Sequence, residues 1–214
     1  MTLPSGIVNG MTKPDIQRLL EFQRLLLQFQ AIERKLHVPP GTNINENDAE
    51  HSYGLAMLGW YLAQYFPELY RDRIIRIALA HDIVEIHAGD TYSYSNQEVL
   101  DDKEAREKLA TEKLAAEWQD FPEMLEAIHD YKDKGSREAK FVYALDKLHP
   151  ALIDYINEGK GWRELGITAA MFRTEKDKKV PISPEVNDYM DQLHELLAPQ
   201  LHLFASESID DSQS

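Results

Sequence analysis

Apolar residues recur at three- and four-residue steps through most of the chain, the spacing typical of amphipathic helices. The first predicted helix begins at Asp15 and ends near His37, ahead of a Pro-Pro-Gly sequence. The same spacing predicts further helices over 48–66, 73–88, 101–118, 121–131, 136–158 and 184–204. Alternation of period two is absent over any useful length, so the pattern predicts an all-α fold.

The same pattern predicts one domain. The chain has 214 residues, with no internal repeat and no Gly- or Ser-rich linker that would divide it. We therefore expect a single domain over 13–204, preceded by a flexible arm at 1–12. Residues 205–214 are acidic and lack core-forming side chains, so they are predicted to be disordered.

Charge and composition exclude several classes of protein. The formal net charge is −14, which argues against nonspecific binding to nucleic acid. The chain has no cysteine, so any metal site must use histidine and carboxylate ligands. We find no signal peptide and no run long enough to span a bilayer, and expect a cytoplasmic protein without membrane contact. A phosphate substrate would need local positive charge from a metal or a few placed Arg and Lys residues.

The most unusual stretch is 77–86, which is apolar except at His81, Asp82 and Glu85. A nearly all-apolar helix is a buried one, where bare charge is costly. At i,i+3 and i,i+4 spacing on a continuous helix, these side chains project towards one quadrant and suit a divalent cation. A buried His–Asp pair without any metal accounts for this stretch about equally well.

Two more ionisable residues occupy positions that suit apolar ones. His51 lies on the inner side of the second helix, where a histidine is more often a core residue than a ligand. Asp146 lies on an apolar helix face and needs a cation; Lys147 is expected to point elsewhere, although an Arg from another helix could pair with it. With His81 and Asp82 they make four ligands, and this nitrogen and oxygen set suits Mn, Fe, Co, Ni or Zn better than Mg.

The order of these motifs resembles the HD superfamily of metal-dependent phosphohydrolases, and more closely its bacterial 5'-deoxyribonucleotidase branch. The chain reads EH at 50–51, HDIVE at 81–85, GD at 89–90 and DKL at 146–148. The resemblance covers roughly 15–170. It implies an HD-domain helical bundle, one divalent metal and hydrolysis of a phosphoester. It also implies that the metal ligands are His51, His81, Asp82 and Asp146.

The resemblance also implies roles for other residues. Glu85 and Asp90 match the family's acids that position or activate water and assist the leaving group. Arg34 is the nearest match to an Arg that contacts the nucleotide, and Lys147 would add positive charge. The segment 91–104 departs from the family. It is either an ordinary surface loop or a cover over the site whose Tyr92, Tyr94 and Asn96 contact a base and set the leaving-group preference.

The resulting prediction is a metal-dependent phosphomonoesterase that converts deoxynucleoside 5'-monophosphates to deoxynucleoside and phosphate. One alternative keeps the site but changes the substrate to a phosphodiester or a non-nucleotide phosphate ester. Another is a metal-stabilised helical protein that binds a ligand without turnover, although Glu85 and Asp90 are not needed to hold a structural metal. Apolar helices near both ends of the domain favour a homodimer.

Overall fold

The protein is described here by a computed structural model that covers residues 7–8, 11–92, 94 and 97–207. Its helices are α1 (Ile16–Gln30), α2 (Asp48–Ala63), α3 (Arg71–Ala80), α4 (Glu85–Ala88), α5 (Gln97–Glu117), α6 (Pro122–Asp133), α7 (Arg137–Ile156), α8 (Lys160–Glu164), α9 (Ala169–Lys179) and α10 (Pro184–Leu197). Its strands are β1 (Ile7–Val8), β2 (Met11–Thr12), β3 (Glu33–His37) and β4 (Asn45–Asn47).

The fold is all-α, as predicted, with two small antiparallel sheets that pair β1 with β2 and β3 with β4. The flexible arm and disordered tail predicted from the sequence lie largely outside the described residues. No helix among the residues that the structure covers combines the length and hydropathy needed to cross a membrane.

The centre of the molecule is α7, which packs against α2, α3, α6, α9 and α10. Apolar side chains that are fully buried at this centre include Leu55, Ile74, Ile77, Phe141 and Leu145. The buried apolar residues from Leu25 to Phe204 form one cluster. A single core therefore fixes the helices that carry the polar residues of interest.

The first helix ends earlier than predicted, at Gln30 rather than near His37. Residues 33–37 instead form β3, which pairs with β4 across the expected loop. A strand places residues two apart on the same side, and here Leu36 enters the core while Arg34 reaches buried acids. The long-range contacts of these two side chains override the helical pattern.

The predicted continuous helix over 73–88 is also wrong, because α3 ends at Ala80 and α4 begins only at Glu85. Residues 81–84 form a tight turn, in which the Ile83 N–H donates to the Ala80 carbonyl at 3.2 Å. The Glu85 N–H likewise donates to the Asp82 carbonyl at 2.9 Å. These i,i+3 bonds wind the chain more tightly than an α-helix does, so His81 and Glu85 face different neighbours.

At the start of α2, one acid helps to cap the helix and another is buried. Asn47 is the N-cap, and it forms a capping box with Glu50. Asp48 is therefore free to turn inward, and it is fully buried. The helix ends at Ala63, short of the predicted end at residue 66.

Candidate metal centre and active site

Three of the predicted ligands meet in a buried cluster at the meeting point of α2, α3 and α7. The ligand atoms of His51, His81 and Asp146 all lie within 4.8 Å of one another. His51 Nε2 is 2.9 Å from Asp146 Oδ1, and His81 Nε2 is 3.9 Å from the same oxygen. All three side chains are buried. We call this group the His–His–Asp cluster.

The tautomer of His81 is determined by the backbone. Its Nδ1 lies 2.9 Å from the Ala78 carbonyl oxygen, which can only accept a hydrogen bond. In the neutral ring Nδ1 therefore carries the proton, and Nε2 presents a lone pair towards the carboxylates of Asp82 and Asp146. Nε2 is buried and has no hydrogen-bond partner among the described residues. A lone pair facing carboxylate oxygens is repelled unless a proton or a metal ion lies between them, and a donor set of two imidazoles and carboxylates fits a metal ion.

Acids and a second histidine surround His51. Its Nδ1 lies 3.5 Å from Glu46 Oε2, while its ring packs at a centroid distance of 5.4 Å from His149. Burial and the Arg34 charge work against protonation of His51, but hydrogen bonds to Asp146 and Glu46 outweigh them and raise its pKa to about 9. The carboxylates of Asp146 and Glu46, which face the two ring nitrogens, thus favour positive charge at His51, and a metal ion would supply it.

Asp146 is held from several sides. Besides His51, its other oxygen Oδ2 accepts hydrogen bonds from the Tyr131 hydroxyl and the Lys147 ammonium, both at 2.6 Å. Burial opposes ionisation, but Lys147 and the two histidines hold the pKa of Asp146 well below its usual range. Lys147 was expected to point elsewhere. It contacts Asp146 because its flexible stem lets the ammonium reach the adjacent carboxylate.

A second cluster lies beside the first and contains Asp48, Asp82 and Glu85, whose ligand atoms also lie within 4.8 Å of one another. Asp82 therefore adjoins both clusters, with Oδ2 at 3.1 Å from His81 Nε2. Arg34 Nη1 donates to Asp48 Oδ1 at 3.1 Å and to Asp82 Oδ2 at 3.0 Å. We call these three acids the acid triad; the Arg34 guanidinium neutralises part of its charge.

Burial and neighbouring charges act on the carboxyl groups of the acid triad. Burial and the charges of Asp82, Asp48 and Asp90 raise the pKa of Glu85 well above its usual value. Burial and Asp82 likewise raise the pKa of Asp48 to about 6. Glu85 Oε2 is buried without a hydrogen-bond partner in the described part of the chain. Such an oxygen can accept a proton from a nearby water.

Both clusters open onto one cavity of about 440 Å³, a size typical of small-molecule sites. Its wall includes Asp90 and Thr91, which follow the turn at Gly89, where φ is 75°. Arg106 secures this turn by donating to the Thr91 hydroxyl at 2.9 Å and to the Ala88 carbonyl. Lysines from four helices also line the cavity: Lys103, Lys132, Lys147 and Lys179. Together with Arg34 and Lys134 they equal the number of acids in the cavity wall, so the site is much less acidic than the chain as a whole, whose net charge is −14.

The structure brings together all eight residues singled out from the sequence. Arg34, Asp90, Asp146 and Lys147 also border a second, narrower cleft beside the main cavity. Within the predicted 91–104 segment, Tyr92 and Tyr94 line that cleft, whereas Asn96 lies outside the described residues.

Four site residues were missed from the sequence: Glu46, Asp48, Tyr131 and His149. Asp48 and Glu46 looked like ordinary residues of a loop and a helix start, and only the β3–β4 pairing turns them towards Arg34. His149 follows Asp146 by three residues on α7, a spacing that was available as a signal. Its ring fits because residue 54 is glycine: a Cβ there would lie 2.8 Å from His149 Cε1.

Comparison with known proteins identifies the family. The HD domain family model matches residues 27–187, so the chain belongs to the HD domain family. This confirms the resemblance carried by the EH, HDIVE, GD and DKL residues.

Among curated relatives, a Bos taurus protein named 5'-deoxynucleotidase HDDC2 is 32% identical over 145 residues, which cover 65% of this chain and 68% of that protein. The Homo sapiens protein of the same name is 31% identical, over 60% of this chain and 63% of that one. The matches thus span about two thirds of each relative.

Among solved structures, a predicted metal-dependent phosphohydrolase from Magnetospirillum magnetotacticum MS-1 is similar to this chain with a TM-score of 0.72. It is 29% identical, and the alignment covers 88% of this chain and 99% of that one.

Proposed function

We propose that this protein is a metal-dependent 5'-nucleotidase that hydrolyses deoxynucleoside 5'-monophosphates to deoxynucleoside and inorganic phosphate. The observation that carries the proposal is the His–His–Asp cluster next to the acid triad, both open to a cavity of about 440 Å³. The relatives named 5'-deoxynucleotidase support the choice of substrate class.

His51, His81 and Asp146, joined by Asp82, would hold one divalent ion; we propose Mn, Co, Fe, Ni or Zn rather than Mg, given the two imidazoles. When bound, such an ion lowers the pKa of water and polarises a phosphoryl oxygen. Glu46 is placed to accept the Nδ1–H of His51, as carboxylates behind metal-binding histidines often do. The Ala78 carbonyl does the same for His81.

Glu85 is proposed as the proton acceptor. Burial and the neighbouring acids raise the pKa of Glu85, which makes its carboxylate a stronger base than an exposed one. As the water oxygen attacks phosphorus, Glu85 takes the water proton, and the bond between phosphorus and the O5' of the nucleoside breaks. A proton must then reach the leaving O5', and Asp90 at the edge of the same cavity is proposed to deliver it.

Arg34 and Lys147 are proposed to bind the phosphate oxygens. Both line the main cavity, and both are ionised because nearby carboxylates raise their pKa values despite burial. Asp48 and Asp82 fix the Arg34 guanidinium in place. A fixed fork of donors suits a phosphate better than a mobile one.

The test is a substrate panel on chelator-treated protein reloaded with Mn, Co, Zn or Mg. The proposal expects phosphate release from deoxynucleoside 5'-monophosphates with Mn or Co. Release only from a phosphodiester, or only from non-nucleotide phosphate esters, would replace the nucleotidase by the alternative hydrolases. Tight metal binding without any hydrolysis would favour a protein that binds a ligand without turnover.

A homodimer and a cytoplasmic location stay predictions. Several large apolar side chains are exposed on α1 and α2: Ile16, Leu19, Leu20, Leu27, Met57 and Trp60. Exposed apolar side chains of this size favour association. Light scattering coupled to size exclusion, with a Leu20→Glu, Trp60→Glu variant for comparison, would test the dimer.

A further inference from the structure

The narrower cleft, about 90 Å³ in volume, runs along α7 away from the His–His–Asp cluster. It meets the main cavity at residues that line both, among them Arg34 and Lys147. Its far part has aromatic walls formed by Tyr92, Trp162 and Phe172. At roughly 15 Å³ per water, the cleft has room for about six waters. This volume is closer to that of one flat ring system than to that of a whole nucleotide.

A carboxylate lies at the far part of this cleft. Asp154 is buried, with 7% of its surface exposed. Its Oδ1 accepts the Gly161 N–H at 3.1 Å, and residue 161 must be glycine because a Cβ would collide with that carboxylate. Within the described part of the chain, Oδ2 has no side-chain or backbone donor. One carboxylate oxygen is therefore anchored, and the other is available to a ligand in the cleft.

A buried ammonium lines the same cleft. Lys176 of α9 is also 7% exposed, and it makes no hydrogen bond or ion pair with any residue that the structure describes. Its nearest aromatic contact is Phe172, with Nζ 5.7 Å from the ring centroid. The preceding acid, Glu175, pairs with Lys179 instead. Burying a cation without a partner is costly, and burial together with Lys147 lowers the pKa of Lys176 to about 8.

The spacing of these groups matches a nucleotide. Lys147 and Asp154 lie seven residues apart on α7, two turns along one face, which separates them by about 10.5 Å along the helix axis. This is comparable with the span from the phosphate of a nucleoside monophosphate to the far edge of its base. A phosphate at Lys147 would thus bring a base between the aromatic walls, with its polar edge at Asp154 and Lys176.

We propose that this cleft is the subsite for the leaving nucleoside, in which Asp154 accepts an N–H of the base and Lys176 donates to a neighbouring ring nitrogen or carbonyl. Every nucleobase presents a hydrogen-bond donor beside an acceptor. Asp154 and Lys176 would therefore recognise that a base is present without preferring one particular base. The inference rests on the proposed nucleotidase function and adds the residues that distinguish a nucleotide from a simple sugar phosphate.

The experiment compares kcat/KM for dCMP, dAMP, dGMP and dTMP with that for 2-deoxyribose 5-phosphate, which has the same phosphoester but no base. For the wild type we expect a preference for the nucleotides of about 10–100-fold, the usual value of hydrogen bonds to charged groups. Asp154→Asn and Lys176→Met should each lower kcat/KM for the nucleotides about tenfold or more and leave the sugar phosphate unchanged.

Matched controls are Asp133→Asn and Lys178→Met, both at exposed positions, which should keep the wild-type preference. A wild type that hydrolyses 2-deoxyribose 5-phosphate as well as the nucleotides overturns the inference without any variant, and so does an unchanged preference in both cleft variants. A wild type that hydrolyses the sugar phosphate but no nucleotide overturns the proposed nucleotidase function and this inference together. If a variant fails to fold, a second measurement on the wild type takes its place: free deoxycytidine is added while the wild type hydrolyses 2-deoxyribose 5-phosphate. Competitive inhibition by deoxycytidine supports the subsite, and no inhibition contradicts it.

Discussion

Replacing Glu85 with Gln tests whether Glu85 accepts a proton or only shapes the site. Glu85 is buried in the acid triad, where its ligand atom lies within 4.8 Å of those of Asp48 and Asp82. Gln has nearly the same shape but cannot accept a proton from water. The variant should therefore keep the metal and the fold and lose the proton transfer.

The expected loss of turnover is about 10²–10⁴-fold, the usual contribution of a placed acid–base group. The thermal stability of the metal-free protein, by contrast, should increase in this variant. The pKa of Glu85 is raised by burial and neighbouring acids, so its ionised form destabilises the metal-free protein at pH 8. Removing that charge should raise the melting temperature of the metal-free variant, by about 2–4 °C for each ~1 kcal/mol gained in a chain of this size.

The assay measures metal content, melting temperature and phosphate release from dCMP on one preparation of each variant. Glu126→Gln, at an exposed position of α6, is the matched control and should behave as the wild type. Full activity with metal bound would refute the role of Glu85. Metal loss in proportion to activity loss would instead show that Glu85 helps to hold the ion.

Four further predictions follow from the same geometry. Asp146→Ala should lose the metal, and stoichiometric metal in that variant by elemental analysis would remove Asp146 from the ligand set. Arg34→Met should raise KM for dCMP at least tenfold; an unchanged KM would exclude phosphate binding by Arg34. Replacing both Tyr92 and Tyr94 with Ala should change the ranking of nucleotide substrates, and an unchanged ranking with unchanged rates would favour an ordinary loop. Asp154 has a pKa of about 6 against an ordinary 3.8, because burial disfavours its charge. The folded state therefore holds this proton more tightly than the unfolded state does. As the pH rises from about 4 to 6, the wild type should lose about 3 kcal/mol of stability relative to Asp154→Asn. A stability difference between the two proteins that does not change over that pH range, measured by denaturation, would contradict this.

Most of the helices were predicted from the sequence because their buried apolar residues recur with the helical period. The start of α1 after its N-cap Asp15 and the start of α10 at Pro184 followed from local signals in the sequence. The strand β3 was missed because Arg34 and Leu36 take their direction from Asp82 and the core rather than from the local helical pattern. The break after Ala80 was missed because nothing in an apolar run distinguishes a tight turn from a continuing α-helix.

The site was predictable where single residues conflicted with their apolar surroundings. His51, His81 and Asp146 stood out in this way, and the structure brings them into one cluster. Asp48 did not, since an acid at a helix start is expected on the surface. The partner of Lys147 and the burial of Lys176 were beyond sequence reasoning because long, flexible side chains take their direction from the tertiary environment.

The central claim is that one metal ion at the His–His–Asp cluster makes this protein a 5'-nucleotidase. The most direct measurement is phosphate release from dCMP during titration of the chelator-treated protein with Mn or Co, with bound metal counted in parallel. The account predicts that activity rises in step with binding and saturates at one ion per chain. Saturated metal binding with no phosphate release, or the same rate without metal, would contradict it.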